Sequence, residues 1–247
     1  MVPNEIHFIW LTEPTSRPFN YINSIAIKAA ADVQKPDRIY MHCNKEPTNN
    51  PYWNEIRSMF SMRWVEAPDS HDGVPLEYIQ YKADVLRLQI LRDHGGIYLD
   101  TDSLMLKPLT PFMDKPFTLA EESPDSYAMA PIIAEPGARF IDIWLQRMAN
   151  TMRAGGWAKH AVQLPREIHK MHPALCDVRP REEFFPFDLR RNYLFDDVRA
   201  DEWIEQASNA YVLHVYETYW KDYLADVRPG YMRQRDTVFS RLFRKYE

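Results

Sequence analysis

Four charged side chains within nineteen residues invite a chemical reading: Asp84, Arg87, Asp100 and Asp102, all in the stretch ADVLRLQILRDHGGIYLDTDSLMLKPL from Ala83 to Leu109. On a helical wheel, Lys82, Gln89, Arg92 and Asp93 share one face, suited to water. Asp84 and Arg87 fall instead among Ala83, Leu86, Leu88, Ile90 and Leu91 and so point inward. Charges buried this way are costly unless partnered, and at i, i+3 the two can reach each other. Asp100 and Asp102 close the apolar run Ile97-Tyr98-Leu99, and strand periodicity sends both carboxylates to one side. Two carboxylates so placed repel unless a cation or proton lies between them. Hard oxygen ligands suit Mn²⁺ or Mg²⁺, ions that keep open positions for substrate phosphates. The competing structural reading makes both acids solvated loop residues at a helix–strand connection.

These side chains need a scaffold, and the chain supplies an α/β one. Gly95-Gly96 can cap the helix and reverse the chain. Upstream, Glu5–Trp10 reads as a buried strand, 20–33 as a helix, Arg38–Cys43 as a strand, 51–60 as a helix and 62–65 as a strand. Strands alternating with helices imply parallel βαβ units, whose ligands bind beyond the carboxyl ends of the strands. Trp10, Asn44, Glu66 and Asp100 fall at such ends. Beyond Pro108 the rhythm changes. Strands are predicted over 116–120, 126–134, 181–187 and 210–215, and helices over 138–153, 161–171 and 200–207. The tail, 231–247, reads as one amphipathic helix with an apolar stripe of Val238, Phe239, Leu242, Phe243 and Tyr246 among basic residues. Docking on the core is the main expectation for it, and peripheral contact with a membrane surface the alternative.

Composition narrows the function classes. The 247 residues carry a formal charge of −5, which offers nucleic acid no general affinity. Hydrophobic residues make up 45% of the chain, ample for a core. Four of the seven glycines sit in the pairs Gly95-Gly96 and Gly155-Gly156. No glycine-rich phosphate loop can form, so nucleotide phosphates would need a metal and side chains. The two cysteines, Cys43 and Cys176, lack metal-ligand spacing and read as buried thiols in a reducing compartment, with one disulfide as the alternative. No signal peptide or membrane-spanning run is evident, so a cytoplasmic protein is expected.

Asp84-Val85-Leu86-Arg87 followed by Gly95-Gly96-Ile97-Tyr98-Leu99-Asp100-Thr101-Asp102 resembles the DXD-containing sugar-binding region of family-32-type glycosyltransferases. That group includes capsular-polysaccharide and initiating mannosyltransferases, and the pattern is also similar to the glucosyltransferase domains of large clostridial toxins. Glu5–Leu11 resembles the family's opening strand, whose Trp stacks on the donor base, here Trp10. The run from His214 to Trp220 resembles its closing loop over the diphosphate, with Thr218 where Ser is usual and no glycine nearby. The resemblance implies one GT-A domain over 1–247. Residues 1–110 would bind the nucleotide sugar, and 111–230 would bind the acceptor and close the site. It also implies a retaining, Mn²⁺- or Mg²⁺-dependent transfer of a hexose-type sugar, from a UDP-sugar foremost or GDP-mannose. The acceptor would be a glycan or lipid-linked glycan. Asp100 and Asp102 would hold the ion, with His214 as a third ligand or phosphate donor and Glu217 as a weaker candidate. Asp84 and Arg87 would bind sugar hydroxyls, Thr218 and Trp220 phosphate oxygens, and Tyr98 and Thr101 would complete the donor site. For retention, front-face attack is implied, with Glu121 or Glu122 as a distant alternative.

Read on residues alone, Trp10 and His214 would be core side chains. His169 and His172 read as surface, Arg190-Arg191 as an exposed pair that could meet an anionic acceptor, and Trp157 as equally fit for packing or an acceptor groove. Two other classes remain open. A strand ending D-x-D also describes haloacid-dehalogenase phosphotransferases, whose first Asp is a nucleophile. A non-catalytic carbohydrate-binding domain is the third.

Overall fold

The computed structural model describes residues 1–14, 16–187, 193–196 and 199–247. Its first half follows the expected alternation: β1 (Glu5–Trp10), α1 (Tyr21–Gln34), β2 (Arg38–Cys43), α2 (Pro51–Ile56) and β3 (Ser61–Trp64). A small hairpin, β4 (Ser70–His71) with β5 (Val74–Pro75), precedes α3 (Ile79–His94) and β6 (Gly96–Tyr98). Then come β7 (Ser103–Met105), β8 (Phe117–Ser123), β9 (Ser126–Tyr127), β10 (Ile132–Ala134), α4 (Arg139–Arg153), α5 (Leu164–Met171) and β11 (Asp177–Arg179). The chain closes with α6 (Ala200–Asn209), β12 (Val212–His214), α7 (Glu217–Leu224), α8 (Tyr231–Gln234) and α9 (Val238–Phe243).

The main sheet runs β11-β8-β10-β6-β1-β2-β3, with β9 on β8. β6, β1, β2 and β3 are parallel, and β10 is inserted antiparallel between β6 and β8. The parallel strands therefore end together, at Trp10, Cys43 and Tyr98, on one rim. Alternation along β1 sends Ile6, Phe8 and Trp10 into the apolar layer on the α1 side, and Ile9 into the layer under α3 and α4. A third layer lies outside α1, where Ile22, Ile25 and Ala29 meet Val238, Phe239 and Phe243.

The turn after α3 depends on its glycines. Gly95 (φ 68°) donates its amide to Leu91 O at 2.8 Å, and Gly96 follows at φ 98°. A Cβ on Gly95 would stand 2.6 Å from Pro136 Cδ, and one on Gly96 2.8 Å from Glu5 O. The chain can thus pass directly from the helix into the middle of the sheet.

Three expected elements differ. The strand predicted over 181–187 lies earlier, as β11, because Pro180 ends it without an N–H and Arg179 folds back on Glu183 at 2.8 Å. The strand predicted over 126–134 is split into β9 and β10 with Pro131 between them. The tail is not one helix: α8 ends at Gln234, and Thr237 caps α9 by accepting from Ser240 N at 3.1 Å. Its apolar stripe faces the core, with Val238, Phe239 and Phe243 buried, and Lys245 and Arg241 pair with Asp32, Asp201 and Asp236. The structure thus packs most of that stripe against the core, with Leu242 and Tyr246 partly buried. Among the described residues, no helix is long and apolar enough to cross a membrane. Cys43 and Cys176 are buried free thiols.

Candidate active site

A cleft of about 760 Å³ opens at the carboxyl ends of β1 and β6. Trp10, Arg87, Tyr98, Asp100, Thr101, Asp102, His214 and Thr218 all line it. Helix periodicity accounts for Arg87. Buried with Asp84 on the inner face of α3, it reaches Asp84 Oδ1 and Asp100 Oδ1, each at 3.2 Å, and donates to Met129 O at 2.9 Å. Its guanidinium lies 4.5 Å over the Tyr98 ring. The fork is thus held on several sides, and it compensates two carboxylates at once. Asp84 does not line the cleft. Its Oδ2 meets His160 Nε2 at 3.1 Å, so it orients Arg87 from behind.

The two acids converge through a turn rather than a pleat. β6 ends at Tyr98, and Ser103 N–H closes the turn on Asp100 O at 2.9 Å. β7, which the sequence pattern did not reveal, then pairs antiparallel with β12 and sets Ser103 opposite His214. Each acid keeps one oxygen anchored. Tyr98 Oη donates to Asp100 Oδ1 at 2.7 Å, and the Glu217 amide donates to Asp102 Oδ2 at 2.9 Å. The other oxygens, Asp100 Oδ2 and Asp102 Oδ1, each lie 3.5 Å from His214 Nε2. Burial alone would raise the Asp100 pKa, but Arg87 and the hydrogen bonds from His214 and Tyr98 hold it well below the usual range.

One free oxygen per carboxylate and one imidazole nitrogen, all within 4.8 Å, fit a hard divalent ion. The His214 ring adds a condition. Burial opposes a charge there, whereas Asp102 and Asp100 favour one. The Tyr216 amide meanwhile donates to Nδ1 at 3.1 Å, which favours the tautomer protonated on Nε2. The geometry therefore leaves the ring proton on Nε2, aimed between the acids. Ligation through Nε2 would need the proton on Nδ1, against that amide.

The 214–220 segment is fastened to α1. Glu217 is buried, with both oxygens engaged by Asn20 and Asn23 (3.1 Å), and Arg17 lies 2.9 Å away. Burial raises its pKa, and Arg17 offsets part of that rise. Glu217 is thus an anchor rather than a free ligand, and Arg17, Asn23 and His160 belong to the site although no sequence pattern marked them. Trp220 does not line the cleft and is partly buried against the third apolar layer. Trp10 lines the cleft yet is only 6% exposed, its ring edge-on to Phe19 at 5.0 Å and its Nε1 buried without a partner. Glu121 and Glu122 do not line the cleft. His169 accepts or donates at 2.8 Å to Tyr127 Oη, and Arg190-Arg191 lie outside the described residues.

The family model described as the glycosyltransferase sugar-binding region containing DXD motif matches residues 23–122. Glucan organizing enzyme 1 of Cryptococcus neoformans var. grubii serotype A is 31% identical over 261 residues, covering 100% of this chain and 71% of that protein. Among solved structures, the galactosyltransferase LgtC in complex with donor and acceptor sugar analogs aligns with TM-score 0.51 at 13% identity, covering 98% of this chain and 94% of its own. The PaToxG glycosyltransferase aligns with TM-score 0.50 at 15% identity over 70% of each chain. These likenesses give the fold as GT-A. They do not favour the phosphotransferase and non-catalytic readings. With its D-x-x-R helix and paired acids at the strand end, the chain belongs to the glycosyltransferases that carry the DXD-containing sugar-binding region.

Proposed function

We propose that this protein transfers a hexose-type sugar from a nucleotide sugar, with UDP-sugars foremost and GDP-mannose second, to a hydroxyl of a glycan. The observation that carries the reading is the convergence of Asp100 Oδ2, Asp102 Oδ1 and His214 Nε2 on one point beside Arg87. A bound Mn²⁺ or Mg²⁺ would neutralise the diphosphate leaving group as charge develops on it. Asp100 and Asp102 would hold that ion by their unanchored oxygens. Arg87, kept in place by Asp84, would hydrogen-bond donor-sugar hydroxyls, and Thr218 would donate to a phosphate oxygen. Trp10 would bound the base pocket with Thr101 beside it. The acceptor glycan is in keeping with the name of the fungal relative, a glucan organizing enzyme.

Retention of configuration is part of the proposal. Neither Glu121 nor Glu122 lines the cleft, although Glu122 accepts a hydrogen bond from Tyr216 and acts electrostatically on His214 and Asp100. Front-face attack, with the departing phosphate taking the acceptor proton, fits the residues that line the site.

Thermal-shift screening of UDP- and GDP-sugars with and without Mn²⁺, followed by donor hydrolysis assays, tests the reading. One donor should stabilise the protein only with metal, and Asp102→Ala should lower its hydrolysis on the order of 100-fold or more. Hydrolysis by Asp102→Ala at the parent rate would refute the mechanism. Metal titration of His214→Asn separates its two roles. Weakened metal affinity marks a ligand, whereas unchanged affinity with slowed hydrolysis marks a phosphate donor.

A further inference from the structure

The outer end of the cleft carries rings that the donor chemistry does not use. Tyr78, the residue before α3, lines the cleft and is 48% exposed, and Trp157 beside it is 61% exposed. Their centroids lie 5.1 Å apart with planes at 80°, and Tyr81 sits 5.1 Å from Tyr78 and 5.3 Å from Trp157. Isolated exposed rings need no explanation, but a contiguous cluster on a cleft rim does. The edge-on contact between Tyr78 and Trp157 leaves ring face open to the solvent.

The cluster is built, not loose. Gly155 and Gly156, at φ 77° and 105°, swing the chain out of α4, and Ala158 at φ 56° turns it back into a π-helical turn over Lys159–Gln163. Such turns cost stability and collect at functional sites. That turn is pinned from inside, where Trp144 Nε1 donates to His160 O at 2.8 Å and His160 Nε2 meets Asp84 Oδ2 at 3.1 Å. Tyr81 packs edge-on against the same His160 ring at 4.4 Å. The rings are thus connected, through one buried histidine, to the Asp84–Arg87 pair.

We infer that Tyr78, Tyr81 and Trp157 form a platform for a neutral pyranose ring of the acceptor glycan. This rests on the transferase reading for the identity of the cleft. The apolar C–H face of a pyranose suits the negative face of an aromatic ring, and its rim hydroxyls stay in water. Lys159 lies against Gly156 beside Trp157 and Glu77 lines the cleft beside Tyr78, so the rim carries both signs and suits a neutral sugar. Position decides between the reacting sugar and one behind it. Tyr78 and Arg87 are separated by nine residues, about 13 Å along the helix axis. That is farther than one sugar ring spans, so the platform takes a unit internal to the acceptor. It also draws on both halves of the chain, Tyr78 and Tyr81 from the first and Trp157 from the second.

The probes are neutral trisaccharides (maltotriose, laminaritriose, cellotriose and mannotriose) with their monosaccharides, titrated calorimetrically into the full chain without nucleotide. At least one trisaccharide should bind about ten-fold more tightly than its monosaccharide. Trp157→Ala should lose about ten-fold of that affinity, and Trp157→Phe should keep most of it. Circular dichroism melting checks that the exposed substitution leaves the fold intact, and Tyr78→Ala repeats the test on the opposite ring. The proposal falls if no trisaccharide binds or if Trp157→Ala binds as the parent does. It also falls if Trp157→Ala loses UDP affinity instead, which would make the rings a base site, or if it only turns a dimer into a monomer. Donor hydrolysis is read separately. A parent that binds trisaccharide but hydrolyses no donor keeps the platform and sinks the transferase, and the converse sinks the platform.

Discussion

Arg87 meets two carboxylates and a backbone carbonyl with one planar fork, and the inward faces of Asp84, Tyr98 and Asp100 are arranged around it. A lysine keeps the charge but cannot reproduce that fork. Arg87→Lys should therefore lower donor hydrolysis on the order of 100-fold, measured beside a melting curve that shows the fold retained. Activity within a few-fold of the parent would show that the fork does not bear on the chemistry. Helix periodicity alone puts Asp84 and Arg87 inside and pairs them, as found. It could not supply His160, which approaches Asp84 from a distant turn whose residues carry no periodic signal of their own.

Among the elements, β1 and β2 carry a second buried polar contact, His7 Nδ1 to His42 Nε2 at 3.0 Å. Burial first, then neighbouring histidines, lowers His7 to about 4 and His42 to about 3, from 6.5. The folded state thus resists protonation while the unfolded chain accepts it below about 6.5. Their contribution is intact above that pH and is lost progressively as pH falls toward 4 and then 3. Urea unfolding at steps from pH 7 to pH 4 should show the loss, and His42→Gln should flatten it. Equal slopes for parent and variant would assign the acid sensitivity elsewhere. At this scale β1, α1, β2 and α3 were readable because each carries a local period. β7 was not, since three residues, Ser103–Met105, show no period, and only the ladder with β12 makes them a strand.

For the whole molecule, the third apolar layer joins α1 to the C-terminal helices, and Phe239 is fully buried within it. Phe239→Ala should cost about 3 kcal/mol in urea unfolding. The parent should sediment with anionic vesicles no more than a background control does, because the tail's apolar stripe faces α1. Unchanged stability in Phe239→Ala would mean that the tail adds nothing to the core. The layer also backs the site, since α1 presents Asn20 and Asn23 to Glu217 and so holds the 214–220 segment over the acids.

The amino-acid sequence by itself determined the α/β alternation, the inward Asp84–Arg87 pair, the placing of Asp100 and Asp102 at a strand end, and the family to expect. The first three are local, written in the helical period, the strand period and the Gly95-Gly96 break, and the family rests on the resemblance of the D-x-x-R and D-x-D motifs. Only the tertiary structure decided which oxygen of each acid stays free, that Glu217 is an anchor, that Trp220 does not line the cleft, and that Trp157 comes to rest beside Tyr78. Those outcomes depend on sheet order and on packing between residues far apart in the chain, and no local period encodes such contacts.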